Sequence, residues 1–329
     1  MSHAEILIPF SLPPAEHARD LLLSLSARLE QRGLAILLAR GNSDAPQRFD
    51  DFSPLLPHER WLEQQTRPHP LRQQFATQLA TQHDAHAPPH HYWFMLNPVH
   101  LHIARNHLVL TDQRQLALTE EESQALFTRA ALLCQESGVE LRYGSATTWW
   151  LQPRENWTDF ITSSPDAACG HNIEIWSPKG KNELAWRKLQ NDIQMDWYMH
   201  PVNTQREQQG QKTINGLWLW GGADIPALSA SSSEATTGPT TIAQLIHHPE
   251  LLILDQLSTS ALAGDWGTWL ENMVVLEQTW FKPLYDALTS RQLPTLRLHF
   301  SNSNTLLSLE VSTASLRRFW RRPTLKKLA

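Results

Sequence analysis

Between Asn182 and Met199 the apolar residues Trp186, Leu189, Ile193 and Trp197 recur three, four and four positions apart, a spacing that lines one face of an α-helix. Pro201 should end that helix, because the residue before a proline is pushed out of helical geometry. A second helix is expected over Ala15 to Arg32, with Leu22, Leu25 and Leu29 on one face and Gly33 as its terminator. A third starts at Thr119, which has capping-box spacing to Glu122; its apolar face of Leu126, Ala130 and Leu133 runs to Gly138. Residues 266 to 290 read as a fourth.

Extended segments alternate with these helices. Residues 5 to 10, EILIPF, and 250 to 257, ELLILDQL, read as buried strands, and 139 to 151 as extended chain. The run from Tyr92 to Thr111 is rich in β-branched and aromatic residues and is expected to fold as a hairpin turning at Arg105 and Asn106. RLHF and LLSLEV form another hairpin across Ser301 to Asn304. This alternation predicts an α/β protein with a mixed sheet and flanking helices. Residues 153 to 178 are irregular and shift in composition, which puts a boundary between an N-terminal α/β region, 1–152, and a C-terminal region, 153–329; a single domain is the alternative. Residues 64 to 91 suggest loop plus one helix around Leu71, Phe75 and Leu79, and the Ser/Thr/Ala segment 227 to 241 a mobile surface loop.

Composition narrows the function classes. The chain has 329 residues with 41% apolar and 19% charged, enough for a sizeable core and far from the profile of a disordered chain. A formal net charge of −5 supplies no global positive field for nucleic acid or an anionic membrane. Cys134 and Cys169 are the only cysteines and lack zinc-type spacing, which favours a reducing compartment and hence the cytoplasm. The start, MSHAEILIPF, lacks a signal-peptide pattern, and the apolar stretch Leu21 to Leu38 is too interrupted by polar residues to span a membrane. No GxGxxG, GxxxxGK[ST] or GxSxG occurs, so dinucleotide, P-loop and serine-hydrolase readings have no support.

The densest chemistry lies in His200 to Gly222, HPVNTQREQQGQKTINGLWLWGG. Asn203 or Thr204 is expected to cap a short helix that ends at Gly210, with Glu207 three residues after Thr204. Backbone N–H groups near His200 and Asn203, with the guanidinium of Arg206, would make a small-anion site; the alternative is a closed helix junction beside a solvated arginine. Alternation along Leu217 to Trp220 sets Trp218 and Trp220 side by side, to wall a pocket or to pack a core. Gly221 and Gly222 permit a sharp turn or close backbone approach to a ligand.

In this segment His200, Pro201, Val202, Asn203, Arg206, Gly210, Asn215, Trp218, Trp220 and Gly221 match a pattern of the archaeal-type cofactor-independent phosphoglycerate mutases, which the chain resembles over about 23 residues. The whole chain is similar to a bacterial group labelled phosphoglycerate-mutase-like, or RpfE-type regulatory proteins, with Asn97 to Leu101 as a companion segment. The resemblance implies a reduced alkaline-phosphatase-like core and a substrate-binding piece made by His200, Asn203, Arg206, Asn215, Trp218, Trp220 and Gly221. In those mutases a Ser or Thr nucleophile and two divalent metals perform phosphoryl transfer, and the resemblance implies the binding piece without that metal machinery. The first strand ends in ILIPFSLPP without an Asp, and no Asp–His pair with a further ligand appears in the C-terminal third.

Three other features stand out. His83, His86, His90 and His91 beside Asp84 offer zinc or nickel ligands in a proline-rich loop setting, and His100 and His102 would face one side of a strand. Neither cysteine has an activating neighbour in sequence beyond His171. The tail SLRRFWRRPTLKKLA holds Arg317, Arg318, Arg321, Arg322, Lys326 and Lys327 around Phe319 and Trp320, to be solvated or to touch RNA, anionic lipid or an acidic protein partner.

Three functions remain open. The first is a catalytically reduced, mutase-like protein that binds a small anionic, phosphorylated metabolite in a regulatory role and needs no cofactor. The second is an active phosphoglycerate mutase or phosphatase that depends on Mn or Zn. The third is a protein-interaction module using the Trp-rich surface and the basic tail.

Overall fold

A computed structural model describes residues 4–65, 90–104, 106–153, 157, 159–226, 241–247 and 251–329. The strands, in chain order, are β1 (Ala4–Ile8), β2 (Asn42–Ser43), β3 (Gln47–Arg48), β4 (His90–Val99), β5 (Leu101–Ala104), β6 (His107–Leu110), β7 (Val139–Ser145), β8 (Thr148–Pro153), β9 (Gly216–Pro226), β10 (Leu251–Ile253), β11 (Thr295–Ser301) and β12 (Thr305–Ser312). The helices are α1 (Ala15–Arg28), α2 (Gly33–Arg40), α3 (Pro57–Gln65), α4 (Glu120–Glu136), α5 (Pro165–Ala168), α6 (Ile173–Trp176), α7 (Glu183–Tyr198), α8 (Pro201–Gln208), α9 (Ile242–His247), α10 (Ser258–Leu262), α11 (Trp266–Leu276) and α12 (Lys282–Thr289). Mixed sheet and flanking helices make this an α/β protein, as the alternating pattern predicts.

The chain divides into two compact units, but not at residue 152. One comprises 1–52, 56–61 and 236–329; the other comprises 53–55 and 62–235. The expected boundary falls inside β8, which pairs with β4 and β7 within the second unit. Irregular composition at 153–178 reflects the short helices α5 and α6 rather than a linker.

In the first unit the sheet order is β10-β1-β11-β12, with β2 and β3 both on the outer edge of β12. The strand β1 runs parallel to both β10 and β11, and β11 runs antiparallel to β12 across the expected hairpin. Ile6, Leu7 and Ile8 are all fully buried, which explains why β1 reads as a continuous apolar run instead of an alternating one. Helix α1 packs on α11 and α2 on α12. Gly33 does not stop a helix there: α1 ends at Arg28 and Gly33 starts α2, where a Cβ would lie 2.7 Å from the backbone of Lys282. The N-terminus of α2 is capped from a distance by Glu277, whose carboxylate accepts from Gly33 N (2.5 Å) and Leu34 N (2.9 Å). Glu277 begins a π-helical turn, Glu277–Phe281, which joins α11 to α12.

The second unit is built on the antiparallel sheet β7-β8-β4-β9. Leu217, Leu219, Phe94, Leu96, Trp149 and Leu151 from the sheet pack with Leu126 and Ala130 of α4 and with Trp186, Leu189, Ile193 and Trp197 of α7. The predicted face of α7 is the buried one, and the capping box of Thr119 and Glu122 is formed in both directions. Only residues 101 to 110 make the expected hairpin, β5 with β6; residues 92 to 99 instead pair with β8 and β9. The helix expected around Leu71, Phe75 and Leu79 lies outside the described residues. So do the side chains of His83, Asp84, His86, His90 and His91, and the Ser/Thr/Ala segment apart from residue 241.

Candidate functional site

The segment His200 to Gly222 lies wholly in the second unit and runs from the end of α7 through α8 into β9. His200, not Asn203 or Thr204, is the N-cap of α8: its Nδ1 accepts from Val202 N at 3.2 Å, and Pro201 takes the first helical position. Pro there starts a helix as well as ending one, because its fixed φ suits the first turn and its missing N–H is not needed. Burial, with Arg129 adding to it, pushes the His200 imidazole below its ordinary value, against the opposing pull of Asp196. An unprotonated Nδ1 is what the cap requires, and it occupies one of the N–H groups that an anion would need.

Asn203 is buried inside α8, where Nδ2 donates to Trp197 O (2.9 Å) and Ile214 O (2.8 Å) while Oδ1 accepts from Ile214 N (2.8 Å). Arg206 is neither solvated nor aimed at a cleft. Its side chain is fully buried (0% exposed), with Nε donating to Lys212 O (2.7 Å), one terminal nitrogen to Glu122 Oε2 (2.6 Å) and the other to Leu116 O (2.5 Å). The guanidinium ties α8 to α4 and to the chain before it. Gly210, at φ +69°, ends the helix as expected.

The remaining predicted residues are also structural in their contacts. Asn215 mimics a strand partner: Oδ1 accepts from Leu101 N (2.7 Å) and Nδ2 donates to Leu101 O (2.8 Å). Trp218 is 2% exposed with its indole N–H on Ser163 O (2.8 Å), and Trp220 is 9% exposed with its N–H on Asn97 Oδ1 (2.5 Å). Gly221, at φ +69°, donates its N–H to Thr162 Oγ1, and a Cβ there would stand 2.6 Å from Met95 Cε. The fold therefore brings His200, Asn203, Arg206, Asn215, Trp218, Trp220 and Gly221 into one unit, each in a hydrogen bond within the fold, with Asn203, Arg206, Trp218 and Trp220 buried, His200 and Asn215 half-buried and Gly221 exposed. Of the two readings of the indoles, pocket wall and packed core, the burial of Trp218 and Trp220 supports the core.

Around this frame, His100 and His102 stack nearly parallel with ring centroids 6.1 Å apart, as strand alternation predicts. His100 Nδ1 donates to Thr213 O (2.8 Å); burial is the main cause that pushes its imidazole below the ordinary value, and His102, Lys212 and Arg206 add to it. Both cysteines are buried, and burial pushes each thiol up to about 12, with Asp112 and Asp166 adding to the effect at Cys169. Neither is an activated nucleophile.

A buried cluster with no local signal in the sequence lies in the first unit at the C-terminal edge of the parallel strands. There His58 Nδ1 and Ser301 Oγ are 3.1 Å apart, Ser11 Oγ donates to Ile8 O, and Phe10 adopts φ +55°. Such edges are where α/β sheets place ligands. Ser11 and Ser301 are both fully buried, however, so neither hydroxyl is placed to attack a substrate.

Among the described residues there is no donor set that fits the two metals such mutases use. The strand β1 runs into Pro9, Phe10 and Ser11 with no carboxylate, and among the described residues no group of three or more His, Cys, Asp or Glu could hold an ion. No helix among them is long and apolar enough to cross a membrane.

The basic tail is part of the fold. Leu316, Leu325 and Leu328 are buried, and Thr324 N donates to Ala35 O. Arg321, Arg318 and Lys327 donate to the carbonyls of Ala39, Arg40 and Gly41 at the C-terminal end of α2, where cations are favoured by the helix dipole. Between these anchors Phe319 and Trp320 stand 79% and 68% exposed.

No family model matches the chain. Over 66 residues it is 29% identical to the 2,3-bisphosphoglycerate-independent phosphoglycerate mutase of Methanosarcina mazei, a stretch that makes up 20% of this chain and 17% of that protein. Among solved structures, a cofactor-independent phosphoglycerate mutase from Thermoplasma acidophilum aligns at TM-score 0.36 and 12% identity, over 94% of this chain and 90% of that one. The PH0037 protein from Pyrococcus horikoshii aligns at TM-score 0.39 and 10% identity, over 95% and 88%. At those scores neither structure bears on what this chain does.

Proposed function

We propose that this chain is a phosphoglycerate mutase-like protein of the cytoplasm that works in a regulatory role by binding, without two-metal phosphoryl transfer, and that its contact surface is the C-terminal segment from Ser315 to Ala329. One observation carries the reading. Leu316, Leu325 and Leu328 pin the segment to the first unit while Phe319, Trp320, Arg317 and Arg322 stay exposed, and none of its Lys or Arg residues pairs with a carboxylate among the described residues. Anchoring of that kind presents cations and aromatic rings at low entropic cost to a partner. The test is retention of the intact protein on a sulfonate cation exchanger near neutral pH, where a net charge of −5 would otherwise carry it through. The wild type should be retained and the double variant Arg317→Glu, Arg322→Glu should not; equal behaviour of the two would overturn the reading.

A second reading, binding of a phosphorylated three-carbon acid, is supported by the 66-residue likeness to a phosphoglycerate mutase. Its ligand would have to meet groups other than the side chains of Asn203 and Arg206, whose hydrogen bonds are already made within the fold. Calorimetric titration of 3-phosphoglycerate with and without Mn²⁺ separates its forms: heat only with metal favours the enzyme, heat without metal a sensor, and no heat removes both.

A further inference from the structure

We infer that the exposed loop carrying Arg317, Phe319, Trp320 and Arg322 is a docking site for an acidic protein segment that bears an apolar side chain among its carboxylates; the inference rests on the C-terminal segment being the contact surface. The aromatic rings have no folding role to explain them. Phe319 and Trp320 are 79% and 68% exposed and touch each other edge to face, with centroids 5.4 Å apart and planes at 81°. Covering them gains apolar burial, and Trp and Arg are the residues that most often dominate protein interfaces.

Charge selects the kind of occupant. Six of the chain's 28 Lys and Arg residues stand after Glu310 and none of its 33 Asp and Glu residues do, so the segment is strongly cationic and the rest of the chain strongly anionic. Arg318 and Arg321 help to push the Lys327 ammonium below its ordinary value, after burial as the larger cause, so the cations there repel one another and an incoming carboxylate relieves that repulsion. An extended polyanion laid along the segment would also meet the anionic remainder of the chain. A short acidic segment meets the loop alone, within a Debye length of about 8 Å at physiological salt.

Ring geometry points the same way. Successive nucleobases stack on aromatic faces, and a pair held near 81° offers no two parallel faces to neighbouring bases. An anionic bilayer would receive only two adjacent apolar side chains, far less than the apolar stripe an interfacial helix buries. Exposed guanidinium groups on Arg317 and Arg322 can instead grip carboxylates bidentately on either side of the rings.

The test is fluorescence anisotropy on the full-length protein with three probes: a labelled peptide of glutamates interrupted by two phenylalanines, a labelled oligouridine, and vesicles of phosphatidylserine in phosphatidylcholine. The peptide should bind. Arg317→Glu with Arg322→Glu should weaken it at least tenfold and flatten its salt dependence, whereas Phe319→Ser with Trp320→Ser should weaken it at an unchanged salt slope. All four side chains project to solvent, and unchanged thermal melts confirm that the variants are folded. Tighter binding of oligouridine or vesicles through the same side chains would overturn the acidic segment as occupant and leave the contact surface standing. Absence of any probe binding that these variants alter would overturn the contact surface itself.

Discussion

Replacing Arg206 with alanine should destabilise the second unit rather than merely silence a binding site. The side chain is fully buried and makes three hydrogen bonds, to Lys212 O, Glu122 Oε2 and Leu116 O. Its loss strands two backbone carbonyls and leaves the Glu122 carboxylate without its cation. Removing one partner of a buried ion pair costs about 3 to 5 kcal/mol, and the carbonyls fall within that figure if water enters the space that opens. With a urea m-value of about 2 kcal/mol per M, the midpoint of the second unit should fall by roughly 1.5 to 2.5 M. Urea unfolding of wild type, Arg206→Ala and Glu122→Gln, followed by far-UV circular dichroism, measures the shift. Glu122→Gln should cost less, since an amide oxygen still accepts and the glutamate is 20% exposed. A shift below about 1 kcal/mol for Arg206→Ala would mean that the guanidinium is not a structural tie. The consequence for ligand studies is direct: lost binding in that variant reports lost structure.

Glu277→Ala should destabilise the first unit by about 2 to 4 kcal/mol, because it leaves two buried N–H groups at the start of α2 without an acceptor; thermal melts check it. Trp220→Phe should cost about 1 to 2 kcal/mol by orphaning Asn97 Oδ1, with loss of that indole N–H signal in NMR as the marker. His100 and His200 are both held below the ordinary histidine value of 6.5, so the unfolded chain takes up their protons first. Their contribution to stability is therefore complete above that value and is lost as pH falls from it through their lowered folded values. Urea midpoints for the second unit should drop from about pH 7.5 to about pH 5.5, less so in His200→Asn, which keeps an N-cap acceptor without a titrating ring. Gly33→Ala should lower the melting temperature of the first unit, since the Lys282 backbone leaves no room for the methyl group.

Local signals in the sequence carried the elements well. The face of α7, the capping box of α4 and the β11–β12 hairpin each rest on residues within a few positions of one another, and each forms as expected. What failed to show were contacts over long separations. Arg206 is 84 residues from Glu122 and 90 from Leu116, so nothing near it in sequence distinguishes a buried tie from an anion-binding arginine. The discontinuous first unit is hidden for the same reason, as β1 pairs with strands nearly 250 and 300 residues later. Alternation did place Trp218 and Trp220 on the face opposite Leu217 and Leu219, but both faces of β9 are covered there, which a period of two does not reveal. Basic residues in the tail were plain in the sequence. Their anchoring by Leu316, Leu325 and Leu328 was not, because no regular period links those leucines.

We propose that the segment His200 to Gly222 serves to hold the second unit together rather than to take a ligand. Hydrogen exchange of that segment, with and without saturating 3-phosphoglycerate, tests it most directly. The amides of Ile214 and of Gly216 to Trp220 should already be strongly protected, and the ligand should change none of the segment. Ligand-dependent protection centred on His200, Asn203 and Arg206 would contradict that role and restore the anion site.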